Sequence, residues 1–253
     1  MKRGAIYFAT GERYVREAIN SAKSLKKHNP QLPIVLFTDM PDKPAVFDHI
    51  EKVTRDYKIA FKQKCHAFGQ TPFEETLFLD TDTMVLGDVT PPFDLLAQHD
   101  MLMAAMRWLD NNHIPPRLVD FEKPDPSRPD LKLLNSGVIY YRMNDRVRSF
   151  LDYWLQLMRD ERVPDKMHED QEVLYYILRE KGDLARGVKI HLIPNTIYNC
   201  RDVFLPRLRH EGRLGQIVIR HEHGIFDPFW VRGYWQVRKQ MSNIYRRTRK
   251  ALG

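Results

Sequence analysis

Three apolar runs, GAIYFAT from Gly4, PIVLFTD from Pro33 and TLFLDTD from Thr76, each end in polar residues, and the segment joining the first two has helical periodicity. In that segment, RYVREAINSAKSLKKH, the side chains of Val15, Ala18, Ile19, Ala22 and Leu25 share one helix face. Strand, helix, strand in this order predicts a parallel sheet with a right-handed crossover, since parallel neighbours need a long connection over one face of the sheet. A second helix is expected over residues 57–68, ahead of the third run. DMLMAAM and LLNSGVIYYR read as later strands, the second interrupted near its start by Asn135, Ser136 and Gly137. Helices are expected over residues 147–159 and 169–180, with HLIPNTIYN and GQIVIRHEHG as late strand and loop elements. The fold class expected is α/β, a mixed and mostly parallel sheet flanked by helices, with one domain over residues 1–230 and a basic helical tail over residues 231–253.

At 253 residues, with 43% hydrophobic and 29% charged side chains, the chain can bury a large core and is not a disordered segment. Cys65 and Cys200 have neither metal-site spacing nor the density of a disulfide framework, which points to a reducing compartment. The apolar part of MKRGAIYFATGERYV is too short for a secretory signal, and no run is long enough to span a bilayer. A cytoplasmic location is therefore expected.

All of the formal +7 charge sits in residues 231–253, which hold seven basic side chains and no acid. The body before it is neutral, which argues against nucleic acid as a partner and for one localised anionic contact. Trp230 just before the tail and Tyr234, Trp235 and Tyr245 within it accompany these cations, the composition of a helix lying on an anionic membrane surface, here the inner leaflet. A terminal helix docked on the body is the alternative. Between the strands, RWLDNNHIPPRLVDFEKPDPSRPD carries five prolines and reads as a lid or acceptor loop.

The chemistry is concentrated where TLFLDTDTMV ends its apolar run in Asp80 and Asp82. Two carboxylates one residue apart repel each other when both are ionised, so something must offset that cost. It is the only D-x-D in the chain, and it sits at a strand end, where open α/β sheets bind ligands. A divalent cation relieves the repulsion, and hard oxygen ligands suit Mn2+ or Mg2+ rather than zinc. Such an ion leaves coordination positions for phosphates, and a nucleotide-sugar donor fits them.

With these residues in view the sequence resembles glycosyltransferase family 8, retaining enzymes of the GT-A (Rossmann-like) fold that include glycogenin and bacterial lipopolysaccharide glycosyltransferases. The resemblance implies that Ala9 and Thr10 lie where the nucleobase and ribose bind, and that Lys64 in KCHAF contacts the donor. It implies that Asn135, Ser136 and Gly137 approach the donor sugar, that Asp170 and Gln171 in HEDQEVL are the catalytic pair, and that Asp80 contacts the donor as well as the metal. In HEHGIFDPFW it matches a histidine–glycine–lysine–proline–tryptophan pattern, with His221 joining Asp80 and Asp82 on the metal, His223 as its rival, and Gly224 and Pro228 in register. Asp227 replaces the pattern's lysine, and Phe229 its tryptophan. An aspartate repels diphosphate, so that cation's work would pass to Arg220 or Arg232.

The resemblance implies transfer of a sugar from a nucleotide diphosphate, in particular UDP, to a saccharide or glycolipid acceptor with retention. Two other classes compete with it. A sugar-nucleotide nucleotidyltransferase should carry a Gly-rich phosphate loop after its first strand, whereas ATGERYV has one glycine. A non-catalytic, membrane-associated binding protein on the same fold would be free to lose the lysine.

Overall fold

The computed structural model describes residues 2–42, 44–54, 64–105, 134–159, 170–171, 173–174, 177 and 187–227. Strand β1 (Arg3–Ala9) leads into helix α1 (Glu12–His28), whose acidic first turn and basic last turn oppose the helix dipole. The buried face of α1 is Val15, Ala18, Ser21, Ala22 and Leu25. It is the predicted apolar stripe with one hydroxyl set into it.

Then follow β2 (Ile34–Thr38), β3 (His49–Lys52), α2 (Lys64–Gly69), β4 (Glu75–Leu79), β5 (Thr83–Val85), α3 (Pro91–Leu95), β6 (Met101–Ala105), β7 (Leu134–Arg142) and α4 (Asp145–Arg159). The last described elements are β8 (Ile190–Leu192), α5 (Asn195–Tyr198), α6 (Leu205–His210) and β9 (Ile219–His221). Seven strands form one sheet in the order β3-β2-β1-β4-β7-β6-β8, parallel throughout except that β7 runs against both neighbours. This is the mixed, mostly parallel sheet expected. Strands β5 and β9 pair separately as a small antiparallel ribbon.

Alternation along the strands divides the core between two faces. Ile6, Phe37, Phe78, Ile139 and Tyr141 face a layer with Phe68 of α2 and Phe150 and Trp154 of α4. Tyr7, Leu36, Leu77, Leu79 and Tyr140 face α1 and Phe93 of α3. Trp154 is fully buried, and its indole N–H donates to the carbonyl of Asp170 at 3.2 Å, tying the Asp170 segment to α4. Truncating such a side chain costs about 3–5 kcal/mol.

Several expectations are corrected. The third run ends as a strand at Leu79, and Asp80 to Asp82 form the turn into β5. The segment from Asn135 to Gly137 does not interrupt its strand. It is a bulge against β6, where the register jumps from Met103 opposite Ile139 to Ala104 opposite Asn135. Strand β3 was not expected, because HIEK is polar and largely exposed at the sheet edge. Of the helix expected over residues 57–68, only the part from Lys64 is described. The Pro-rich loop and the tail lie outside the described residues, as does most of the helix expected over residues 169–180, of which Asp170, Gln171, Val173, Leu174 and Ile177 are helical. Among the described residues no helix is long and apolar enough to cross a membrane.

Candidate functional site

The chain leaves β1 to build β2 and β3 on one side, then returns to place β4 on the other, so the crevice beyond the ends of β1 and β4 is a topological switch point. Tyr7 lies opposite Leu79, which brings Ala9 and Thr10 to the same edge as Asp80 and Asp82. Because β7 is reversed, its beginning reaches that edge too, and the Asp80 N–H donates to the Gly137 carbonyl at 2.7 Å. Antiparallel pairing of β5 with β9 sets Thr83 opposite His221 and delivers the histidine.

One ligand atom from each of Asp80, Asp82 and His221 lies within 4.8 Å of the others. His221 Nε2 is 3.2 Å from Asp82 Oδ1 and 3.8 Å from Asp80 Oδ2. Its Nδ1 lies 2.7 Å from Asn199 Oδ1, an oxygen that can only accept, so the Nδ1 proton is committed there. That leaves the Nε2 lone pair, turned toward the two carboxylates, free to ligate a metal ion. Orientation of a histidine through its other nitrogen is how metal sites fix the ligating tautomer. The donor set and the geometry fit a hard divalent cation.

His223 Nδ1 is 2.7 Å from Asp82 Oδ2, but its side chain is 83% exposed and, among the described residues, its ion pair is with that one carboxylate. His221 is buried and faces both. In the absence of a metal the two histidines hold the Asp82 pKa below the carboxylate range: burial raises it, and hydrogen bonds from His221 and His223 outweigh burial. Asp80 goes the other way. Burial raises its pKa most, Lys64 and His221 oppose that, and Asp82 and Asp170 add to it.

Lys64 Nζ lies 3.2 Å from Asp80 Oδ1, 3.1 Å from Ser136 Oγ and 2.8 Å from Asp170 Oδ2, the last an ion pair with poor hydrogen-bond alignment. Burial would lower the lysine pKa, but Asp170 and Asp80 outweigh it and raise it, so the amine stays charged. The adjacent Cys65 thiol is pushed well up by burial and is no nucleophile. Gln171 meets Asn135, whose Nδ2 donates to Gln171 Oε1 at 3.4 Å while its Oδ1 accepts from the Gly137 N–H at 2.8 Å. Gly137 packs against the cluster. A Cβ there would stand 2.2 Å from His221 Cε1 and 2.6 Å from Asp80 Oδ2, so the glycine makes room for the carboxylate–histidine cluster itself.

Gly224 has φ +69° and turns the chain so that the Asp227 N–H reaches its carbonyl at 2.9 Å. Asp227 Oδ2 lies 4.0 Å from Arg13 Nη2. Arg220, suggested as the replacement cation, is paired with Asp202 instead and alternates with His221 onto the other face of β9. Pro228, Phe229, Trp230 and Arg232 lie outside the described residues. Asn199 carried no signal in the sequence, because its contact with His221 spans 22 residues and belongs to no local motif.

A comparison with curated proteins finds no match. Solved structures do match the fold. The glycosyltransferase GlyE of Streptococcus pneumoniae TIGR4 is 17% identical with a TM-score of 0.55, over 87% of this chain and 54% of its own, so the chain spans about half its length. The galactosyltransferase LgtC, solved with donor and acceptor sugar analogs, is 12% identical over 87% of both chains with a TM-score of 0.55. A glycosyltransferase involved in glycosylation of the major capsid of PBCV-1 is 11% identical over 88% of this chain and 94% of its own, with a TM-score of 0.52. These likenesses show the fold, the GT-A type expected. The nucleotide-diphospho-sugar transferase family model matches residues 74–225, more than half of the chain, from β4 through the carboxylate pair to the loop after His221, and the chain belongs to that family.

Proposed function

We propose that the protein is a metal-dependent glycosyltransferase that moves a sugar from a nucleotide diphosphate, UDP in particular, to a saccharide or glycolipid acceptor with retention. The observation that carries this is the meeting of Asp80, Asp82 and His221 beside the Lys64–Asp170 pair, at the switch point of the sheet. Asp80, Asp82 and His221 would hold Mn2+ or Mg2+, with His223 as an outer neighbour. When bound, the ion supplies Lewis-acid neutralisation of the charge that develops on the departing diphosphate.

The remaining roles fall to the chain's own groups. Ala9 and Thr10 face the nucleoside, while Lys64, Asn135, Ser136 and Gly137 border the donor sugar and phosphates, with Gly224 shaping the loop that closes the site. Asp170 is held by Lys64 at 2.8 Å, and a carboxylate so paired is a weak nucleophile. This favours front-face attack, in which the departing phosphate helps to take the acceptor proton while Asp170 and Gln171 position the sugar and stabilise its developing positive charge. Residues 1–230 form the catalytic unit, and residues 231–253 carry it to an anionic membrane surface on the cytoplasmic side.

Asp227 favours a second reading, a binding protein that has lost turnover. Hydrolysis of a panel of sugar nucleotides with added Mn2+ separates the two, since a transferase leaks donor to water and a binding protein does not. Release of pyrophosphate from a nucleoside triphosphate would instead indicate a nucleotidyltransferase. Activity insensitive to a chelator would overturn the metal, and an inverted anomeric coupling in the product would overturn retention. Binding of full-length protein, but not of residues 1–233, to anionic vesicles at low salt tests the tail.

A further inference from the structure

The two threonines of the Thr81–Thr83 stretch and the backbone of Val85 are each bonded to helix α1, in step. Thr81 Oγ1 donates to Glu17 Oε2 at 3.1 Å, Ser21 Oγ and Thr83 Oγ1 are 2.8 Å apart, and the Val85 N–H donates to Ser24 Oγ at 2.9 Å. Positions 17, 21 and 24 share one face of a helix, and the three contacts follow one another along the turn at Thr81 and the short strand β5. With these residues held on α1, Asp80 and Asp82 on either side of Thr81 both reach His221.

The middle rung continues in both directions. Tyr7 OH is 3.0 Å from Ser21 Oγ, and Thr83 Oγ1 donates to the Asp80 carbonyl at 2.8 Å. That carbonyl can only accept, so Thr83 spends its proton there and accepts from Ser21, and Ser21 accepts from Tyr7. The three hydroxyls run one way, Tyr7 to Ser21 to Thr83 to the Asp80 backbone, and all three residues are fully buried. Burial keeps bulk solvent from competing for these bonds. A serine and a threonine facing each other across a helix–strand contact are an expensive choice where apolar packing would serve, unless the turn they anchor needs one geometry.

We infer that Ser21 and Thr83 are positioning residues for the cation site, acting through the Asp80–Asp82 turn, an inference that rests on the metal-dependent reading above. Thr83→Val keeps the side-chain shape and removes the bond to the Asp80 carbonyl. It should weaken Mn2+ binding by the protein alone, read from the free-ion paramagnetic resonance signal, by roughly tenfold, the usual effect of removing a partner that orients a ligand. Ser21→Ala should weaken it less, and Thr83→Ser should restore most of the loss. Leu25→Ala, a core truncation one turn further along α1 with no bond to the turn, should lower the melting temperature and leave Mn2+ affinity unchanged. If Thr83→Val does not fold, Ser21→Ala with Leu25→Ala as its control decides the matter. Wild-type affinity in both hydroxyl variants, or an equal loss in Leu25→Ala, would overturn the positioning role while leaving the metal site standing. A wild-type protein that binds no Mn2+ would remove the metal site and this inference with it.

Discussion

Asn199 Oδ1 accepts the Nδ1 proton of His221 at 2.7 Å, and both residues are buried. The bond decides which nitrogen of the ring is left for Asp80 and Asp82. Replacing Asn199 by Ala should therefore weaken Mn2+ binding by about 10–100-fold, within the range for such supporting partners. Asn199→Asp keeps an acceptor oxygen and should lose much less. Titration calorimetry with Mn2+ checks it, and equal affinity in wild type and Asn199→Ala would refute it.

Gly137 packs so closely against the cluster that no side chain fits. The Cβ of Gly137→Ala would lie 2.2 Å from His221 Cε1 and 2.6 Å from Asp80 Oδ2. The variant should lose about 1–3 kcal/mol of stability, as overpacked sites do, and should lose Mn2+ binding outright. Urea unfolding together with Mn2+ titration measures both, and a variant that keeps the ion would show that the cluster is looser than described.

Asp170 and Gln171 are neighbours with different structural burdens. Asp170→Asn removes one of two carboxylates that neutralise the buried Lys64, so it should lower stability as well as turnover. Gln171 accepts one long bond from Asn135 at 3.4 Å, so Gln171→Ala should lower turnover with little change in melting temperature. In both, donor affinity should change less than turnover if these groups meet the sugar in the transition state. A rise in KM with turnover intact would place them in ground-state binding instead.

Away from the site, the rings of His99 and His191 stack with centroids 4.4 Å apart. Burial lowers both pKa values, for His99 with Lys189 acting in the same direction and Asp100 against it, and for His191 with His99 adding to it. Below the ordinary histidine value of about 6.5 the unfolded chain takes up protons that the folded chain refuses, so these two groups make stability fall as pH drops and contribute nothing well above it. The double variant His99→Phe, His191→Phe should show a smaller loss of urea midpoint than wild type between about pH 7 and 5. Parallel slopes in the two proteins would mean that the pair does not titrate in this window.

Much of the sheet was legible in the sequence because its strands are buried on both faces and read as near-continuous apolar runs, as in IVLFT, TLFL and MLMAA. HIEK escaped because an edge strand need not be apolar; GQIVIRHEHG was read as a late strand and loop element, but its pairing with β5 escaped because three-residue strands have no period to detect. An irregularity at Asn135 to Gly137 was visible in the sequence but was read as a break, since a bulge in a continuous strand is defined by the partner strand.

The sequence by itself determined that a carboxylate pair would stand at the end of a buried strand in an α/β sheet, because composition and alternation act on neighbouring residues. Only the tertiary structure decided what surrounds that pair. Lys64 reaches Ser136 across 72 residues, Ser21 reaches Thr83 across 62, and Asn199 reaches His221 across 22. Such contacts leave no periodic trace, because each is a single hydrogen bond made where packing, and not local propensity, brings two distant segments together.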